Sequence, residues 1–260
     1  MNALASRRRR PAAILILLLL GLVATGGLYS LLAPKPAQAA VAADGDVAEG
    51  RKLFLANCAT CHGAQGLGAL GGPSLAGVGA ASADFQVGTG RMPPTGSIIQ
   101  GPRKGDLKFT PAQIASLAAY VGSLGPGPPI PDERFTQGDG NAAHGLELFR
   151  VNCAMCHNFA GSGGALSRGK FAPSLRNVTG KHMYEAMVTG PQSMPVFNDQ
   201  NLSPRDKNDI ITYMHDLDRD QNPGGINLGN LGPVSEGMFV WVFLLGAMIA
   251  AAVWLGSKAA

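Results

Sequence analysis

Two short motifs, Cys58-x-x-Cys61-His62 and Cys153-x-x-Cys156-His157, hold all four cysteines of the 260-residue chain. Two thiols at this spacing can add to the vinyl groups of a haem, and the next residue can turn its imidazole onto the iron. Other chemistries fit less well. A zinc site wants about 15–20 residues between its Cys pairs, and these pairs lie much further apart. Two disulfides suit an exported chain but leave a His after each pair unexplained. A thioredoxin-like pair wants a βαβ setting, and the sequence shows none. The motifs therefore predict two covalently bound haem c groups, held by Cys58 and Cys61 and by Cys153 and Cys156, with His62 and His157 as iron ligands.

Elimination narrows the sixth ligand. Between residues 41 and 130 the only Met is Met92 and the only His is His62, so a Met-ligated first haem has one local candidate. The second unit offers Met155, Met183, Met187, Met194 and Met214, with His144, His182 and His215. Met155 sits inside the anchoring loop. Met194 repeats the setting of Met92, after a Thr-Gly pair and before a Pro, and is the expected ligand. Met187 and Met214 read as core or surface residues at helical spacing, His215 as the polar side of a helix, and His144 and His182 as exposed. Pro73 and Pro173 follow their His by 11 and 16 residues, where a backbone carbonyl can accept the ligand imidazole's other N–H.

These residues belong to a repeat. Gly50 to His62 matches Gly145 to His157 at an offset of 95, and Pro73-Ser74-Leu75, Val78 and Thr89-Gly90 recur at an offset of 100. Thr110 and Ser203 read as helix N-caps followed by Pro, with Gln113 and, more weakly, Asp206 completing a capping box. Leu117, Val121 and Leu124, like Ile210, Met214 and Leu217, form one apolar helical face. A shorter helix leads into each Cys pair, and the Gly-rich residues 63–79 read as loop. The acids Asp206, Asp209, Asp216, Asp218 and Asp220 read as a solvated helix face. The predicted order is a segment 1–40, a first unit 41–125, a Pro/Gly linker 126–140, a second unit 141–222, a linker 223–236 and a span 237–257. Aromatics are only 6% of the chain, and a large planar cofactor would supply the core that they do not.

Both ends read as membrane segments. Ala12 to Ala33 carries no charge and follows Arg7 to Arg10, the pattern of a secretory signal. A cleaved signal fits the small-residue site Ala37-Gln38-Ala39; a retained anchor fits the length, since about 20 apolar residues span a bilayer. Arg on the cytoplasmic side sends the following chain outside. Met238 to Gly256 is also uncharged, with Trp241 and Trp254 near its ends and Lys258 beyond. Gly246 and Ala250, with Ala247 and Ala251, have small-xxx-small spacing. The net charge of +4 comes from the chain ends: residues 41–236 carry 15 Lys and Arg against 17 Asp and Glu. A nucleic-acid binder needs a basic stripe on its folded part, and this chain has none.

Each unit resembles a class I cytochrome c domain, by Gly-x3-Phe before the motif, Cys-x-x-Cys-His, the Pro loop, Met-Pro and a last helix bearing Tyr. The resemblance implies a mainly α fold in which the first helix packs on the last near Gly50, Phe54 and Tyr120, and near Gly145, Phe149 and Tyr213. The whole order of segments is similar to the dihaem cytochrome c subunit of actinobacterial-type menaquinol–cytochrome c reductase. That likeness implies the electron-transfer subunit of a quinol–cytochrome c oxidoreductase, a translocase, in the cell membrane with its haem units outside. Implied partners are a cytochrome b subunit, a Rieske iron–sulfur subunit as donor, and a haem–copper oxidase in a supercomplex as acceptor. A stand-alone anchored dihaem carrier, or a dihaem subunit of an oxidase or periplasmic dehydrogenase, is the alternative. A dihaem peroxidase is disfavoured by Met-Pro after both motifs.

The unequal supply of ligands gives a test. Met92→Ala is expected to leave a first haem that binds carbon monoxide and has lost its thioether–iron absorption band. Met194→Ala should respond less cleanly, because other Met and His residues are close in sequence. Absorbance and magnetic circular dichroism check this, and an unchanged band in Met92→Ala would exclude Met92.

Overall fold

The computed structural model describes residues 11–32, 45–69, 71–96, 99–219 and 233–258. Arg7 to Arg10, Lys35, the Ala37-Gln38-Ala39 site, Asp220 and most of the 223–236 linker lie outside them. Residues 1–40 and 41–260 form separate units. The first contains helix α1, Pro11–Leu32, whose described side chains from Ala12 to Tyr29 are unburied.

The rest is mainly helical, as expected. Helix α2 spans Val47–Asn57, α3 Gly79–Gly88 and α4 Pro111–Ser123. Helix α5 spans Ala142–Asn152, and a hairpin of β1, Gly164–Ala165, and β2, Phe171–Ala172, follows. Helix α6 spans Gly180–Thr189 and α7 Pro204–Arg219. Helix α8, Pro233–Val240, continues through a π-helical turn, Trp241–Leu245, into α9, Gly246–Lys258. Glu236–Lys258 is a 23-residue apolar stretch with none of it buried, long enough to span a bilayer.

Short polar side chains start α2, α4, α5 and α7 by accepting backbone N–H groups that have no partner within the helix. Asp46 accepts from Ala48 and Glu49, and Asn141 from Ala143 and His144. Thr110 and Gln113 form a reciprocal capping box. Ser203 and Asp206 do the same: the Ser203 N–H donates to Asp206 Oδ2 at 2.8 Å, and the Asp206 N–H to Ser203 Oγ at 3.2 Å.

In each unit the first helix crosses the last where glycine removes the side chain. A Cβ on Gly50 would fall on the Ser116 carbonyl and 2.9 Å from Tyr120 Cβ, and one on Gly145 would fall on the Asp209 carbonyl. One turn on, Phe54 meets Tyr120 with ring centroids 5.1 Å apart, and Phe149 meets Tyr213 at 5.4 Å. Phe54 and Phe149 are 1% and 0% exposed, which makes these pairs the centres of the two cores. Ile114, Leu117 and Val121 complete the first; Met183, Met187, Ile210 and Met214 extend the second.

Helices α3 and α6 are not evident in the sequence pattern. Each is closed at its C-terminal end by a Thr whose hydroxyl donates back one turn, Thr89 to the Phe85 carbonyl at 2.5 Å and Thr189 to the Glu185 carbonyl at 2.7 Å. The two helices pack on each other and join the two repeated units. Lys181 Nζ lies 2.7 Å from Asp84 Oδ2, and the Phe85 and His182 rings meet edge to face at 6.3 Å. His182, expected at the surface, is half-buried because α3 covers it. Nor do the acids of α7 form a free solvated face: Asp206 caps, Asp209 pairs with His144 at 2.8 Å, and Asp218 with Arg176 at 2.6 Å.

Gly145→Ala tests the crossing by sign. In an exposed helix interior the change stabilises by about 1 kcal/mol; here overpacking should cost about 1–3 kcal/mol or more. Denaturant unfolding of the detergent-solubilised chain measures it.

Candidate functional site

Each Cys pair is built into a single helical turn at the end of the helix that leads to it. The Cys58 N–H donates to the Phe54 carbonyl at 2.8 Å, and the Cys58 carbonyl accepts from Cys61 at 3.1 Å and His62 at 2.9 Å. Cys153 repeats this with Phe149 at 2.9 Å, Cys156 at 3.1 Å and His157 at 2.9 Å. Residues three apart on such a turn share a face, so the two thiols can reach one flat partner. The chain then reverses through left-handed backbone at Gly63 (φ 77°) and Asn158 (φ 66°), a conformation natural to Gly and tolerated by Asn.

The returning loop orients the imidazoles. His62 Nδ1 lies 2.8 Å from the Pro73 carbonyl oxygen, and His157 Nδ1 lies 2.9 Å from that of Pro173. A carbonyl only accepts, so Nδ1 carries the proton and the Nε2 lone pair is left for a metal. Burial lowers the pKa of His157, against the opposing bond to Pro173, which keeps the ring neutral as a ligand must be. The second loop is five residues longer because it includes the β1–β2 hairpin, yet it delivers its Pro carbonyl to the same nitrogen.

Cys153, Cys156, His157, Pro173 and Met194 line one cleft, walled by Phe149, Met183, Met187, Ile210 and Met214. In the first unit the same bonds recur at Cys58, His62 and Pro73. Met92 stands at the position of Met194, half-buried beyond α3 with its N–H on the Gln86 carbonyl at 2.9 Å. Met155 is 91% exposed.

All four thiols are free. Burial pushes Cys153 up to about 12 and raises Cys58 as well, the opposite of what a zinc thiolate centre needs. A cleft walled by thioether, aliphatic and aromatic groups, with two thiols and a neutral imidazole on one wall, fits a flat apolar group bearing an iron. It also contains a buried polar atom without a hydrogen-bond partner, Arg91 Nη1. Arg91 comes from the first unit, as do Gln100 and Arg103 on the same cleft. No local sequence signal points to them.

Beside the cleft, the contact between the units encloses charge. Burial pushes Asp84 up, but hydrogen bonds from His182 and Lys181 outweigh this and hold it below its usual range. Glu185 is 0% exposed and neither carboxyl oxygen has a hydrogen-bond partner; Lys181 Nζ is 4.0 Å away. Burial, then the negative charge of Asp84, pushes Glu185 up to about 9 despite Lys181. It is therefore protonated at neutral pH.

Two helical units, each with a Cys-x-x-Cys-His turn and a Pro carbonyl on the His, define a dihaem c-type cytochrome with one covalent haem c per unit. A family model described as cytochrome c matches residues 47–125, and one described as cytochrome c oxidase, cbb3-type, subunit III matches residues 140–214. The cytochrome bc1 complex cytochrome c subunit of Mycobacterium bovis is 44% identical over 262 residues, covering 97% of this chain and 93% of that one. Its counterpart in Corynebacterium efficiens is 42% identical over 269 residues, 96% and 90% of the two chains. The cbb3-type cytochrome c oxidase subunit FixP of Azorhizobium caulinodans is 37% identical over 129 residues, 45% and 40% of the two. The chain belongs to the family of cytochrome bc1 complex cytochrome c subunits.

Glu185 makes stability depend on pH. Its folded pKa is raised, so its contribution is complete below the ordinary value of 4.5 and is lost as pH rises towards about 9. Glu185→Gln should flatten the fall in thermal midpoint from about pH 5 to about pH 9; scanning calorimetry of both chains compares the slopes.

Proposed function

We propose that this protein is the electron-transfer subunit of a membrane quinol–cytochrome c oxidoreductase. In this role Cys58 and Cys61 tether the first haem and Cys153 and Cys156 the second, in units bounded near residues 41–125 and 141–222. When bound, each haem supplies a reversible one-electron ferric/ferrous couple. His62 and His157 would ligate iron through Nε2, with Pro73 and Pro173 fixing their tautomer and orientation. Met92 and Met194 would supply the second iron ligands, and Met/His ligation raises the potential, which suits a late stage of a quinol-driven chain. The apolar walls exclude water, so little solvent reorganises when the charge changes.

The partners are a cytochrome b subunit and a Rieske iron–sulfur protein, which donates to the first unit, while the second passes electrons to a haem–copper oxidase held in the same assembly. Arg7 to Arg10 would keep the N-terminus cytoplasmic and place both haem units on the outer side of the cytoplasmic membrane. The near full-length match to cytochrome bc1 complex cytochrome c subunits is the observation that carries this reading. A dihaem oxidase subunit is favoured only by the cbb3-type match to the second unit, and that likeness covers under half of the chain.

Purification in mild detergent decides between them. Co-elution with b-type haem and a Rieske centre, with quinol reducing both c haems, is expected; a preparation with c-type haem alone would overturn the assignment.

A further inference from the structure

Arg91 and Arg103 belong to the first unit but line the cleft of the second. The Arg91 guanidinium lies over the Phe85 ring, 4.8 Å from its centroid, a stacking that fixes its plane. Its Nη1 is buried without a hydrogen-bond partner. Arg103 reaches across the unit boundary: its Nη1 donates to the Asn177 carbonyl at 3.1 Å and its Nη2 to the Arg176 carbonyl at 3.5 Å. Both partners are neutral, so neither guanidinium meets an anion through these contacts. No Asp or Glu is among the described residues that line the cleft.

The buried, unpartnered N–H of Arg91 is costly unless an acceptor joins it, and exposed Arg103 adds a second positive charge at the same cleft. Arginine's planar fork matches a carboxylate, which it can bind through two parallel hydrogen bonds. The group that the cleft fits is apolar across its faces and carries two carboxylates on one edge.

We propose that Arg91 and Arg103 form a carboxylate-binding site for the propionates of the second haem, so that the first unit holds and tunes the cofactor of the second. This rests on the assignment of a haem to Cys153, Cys156, His157 and Met194. The acidic edge of that haem then faces the first unit. Positive charge beside it favours the reduced state and raises its potential. Because Arg91 adjoins Met92, the chain that ligates the first iron leads directly to the edge of the second haem. The two arginines are positioning residues: they orient the cofactor and set its potential without touching iron.

The test uses the full-length chain in detergent, with both haems loaded, the haem carboxylates labelled with carbon-13, and the variants Arg91→Gln, Arg103→Gln, their combination and Arg91→Lys. Haem content and the thioether–iron band show that the cofactor is in place. Redox titration gives the second haem's potential, and redox-difference infrared spectra report the labelled carboxylates. The double variant should keep both haems and the band. At fixed potential its second haem should show a reduced-to-oxidised ratio about tenfold lower, about 59 mV for a one-electron couple, together with shifted labelled carboxylate bands. Arg91→Lys should retain most of the potential, since the charge remains, but lose the carboxylate signature of the paired bonds. An unchanged potential and unchanged labelled bands in the double variant would overturn the proposal. If that variant does not assemble, unchanged bands in Arg91→Lys overturn it equally. A chain whose second motif carries no covalent haem would overturn the haem assignment as well, and haem content alone identifies that outcome.

Discussion

The close crossing of first and last helices, permitted by Gly50 in one unit and Gly145 in the other, is the contact on which the rest of each unit depends. With a Cβ at either position the backbones could not approach, and the aromatic pair one turn further on would separate. Phe54 and Phe149 are also the residues whose carbonyls receive the N–H of the first Cys. The crossing therefore sets where α2 and α5 end, and with that where the thiol-bearing turn begins. The His is fixed one step later by a carbonyl from the returning loop. Position passes along a short series of backbone contacts, none of which requires a large hydrophobic core. This explains how a chain with 6% aromatics can hold two ordered sites.

The contact between the units follows a different rule. It buries a carboxylate held by hydrogen bonds, Asp84, next to one whose oxygens have no hydrogen-bond partner, Glu185. An unpaired buried charge is so costly that the group takes up a proton instead, and Glu185 does so. Lys181 is shared unequally, bonded to Asp84 and only near Glu185. The joint between the two sites thus contains an ion pair and a neutral acid, and it holds its electrostatic character while the pH stays between their two ranges.

Much of this was legible in the sequence because it is local. The thiol spacing, the His that follows, the capping residues Thr110 and Ser203, and the apolar faces of the last helices all act within a few residues. The Pro carbonyls were found by their recurrence before Ser-Leu, although their distances from the His differ. Helix α3 was not legible. It is rich in Ala and Gly, has no side-chain cap, and begins at Gly79, whose φ of +80° and contact with Pro128 are set by distant chain. The joint was equally hidden: Asp84 and Lys181 lie 97 residues apart, and nothing near His182 announces that another unit covers it. The π-helical turn at Trp241–Leu245 likewise has no periodicity that marks it within an apolar run.

Helices α3 and α6 are the same element of the two repeats, and the Thr bonds align them: Phe85 corresponds to Glu185, Asp84 to Tyr184, and Ala81 to Lys181. Like therefore faces like, the arrangement found where two identical subunits meet across a two-fold axis. In such a dimer every contact would occur twice, and the ion pair of Asp84 with Lys181 would have a mirror in Ala81 with Tyr184, which cannot form one. Joining the two halves in a single chain removes that obligation of symmetry. The acid stands on one half only and its base on the other only, so the pair can be joined in only one way.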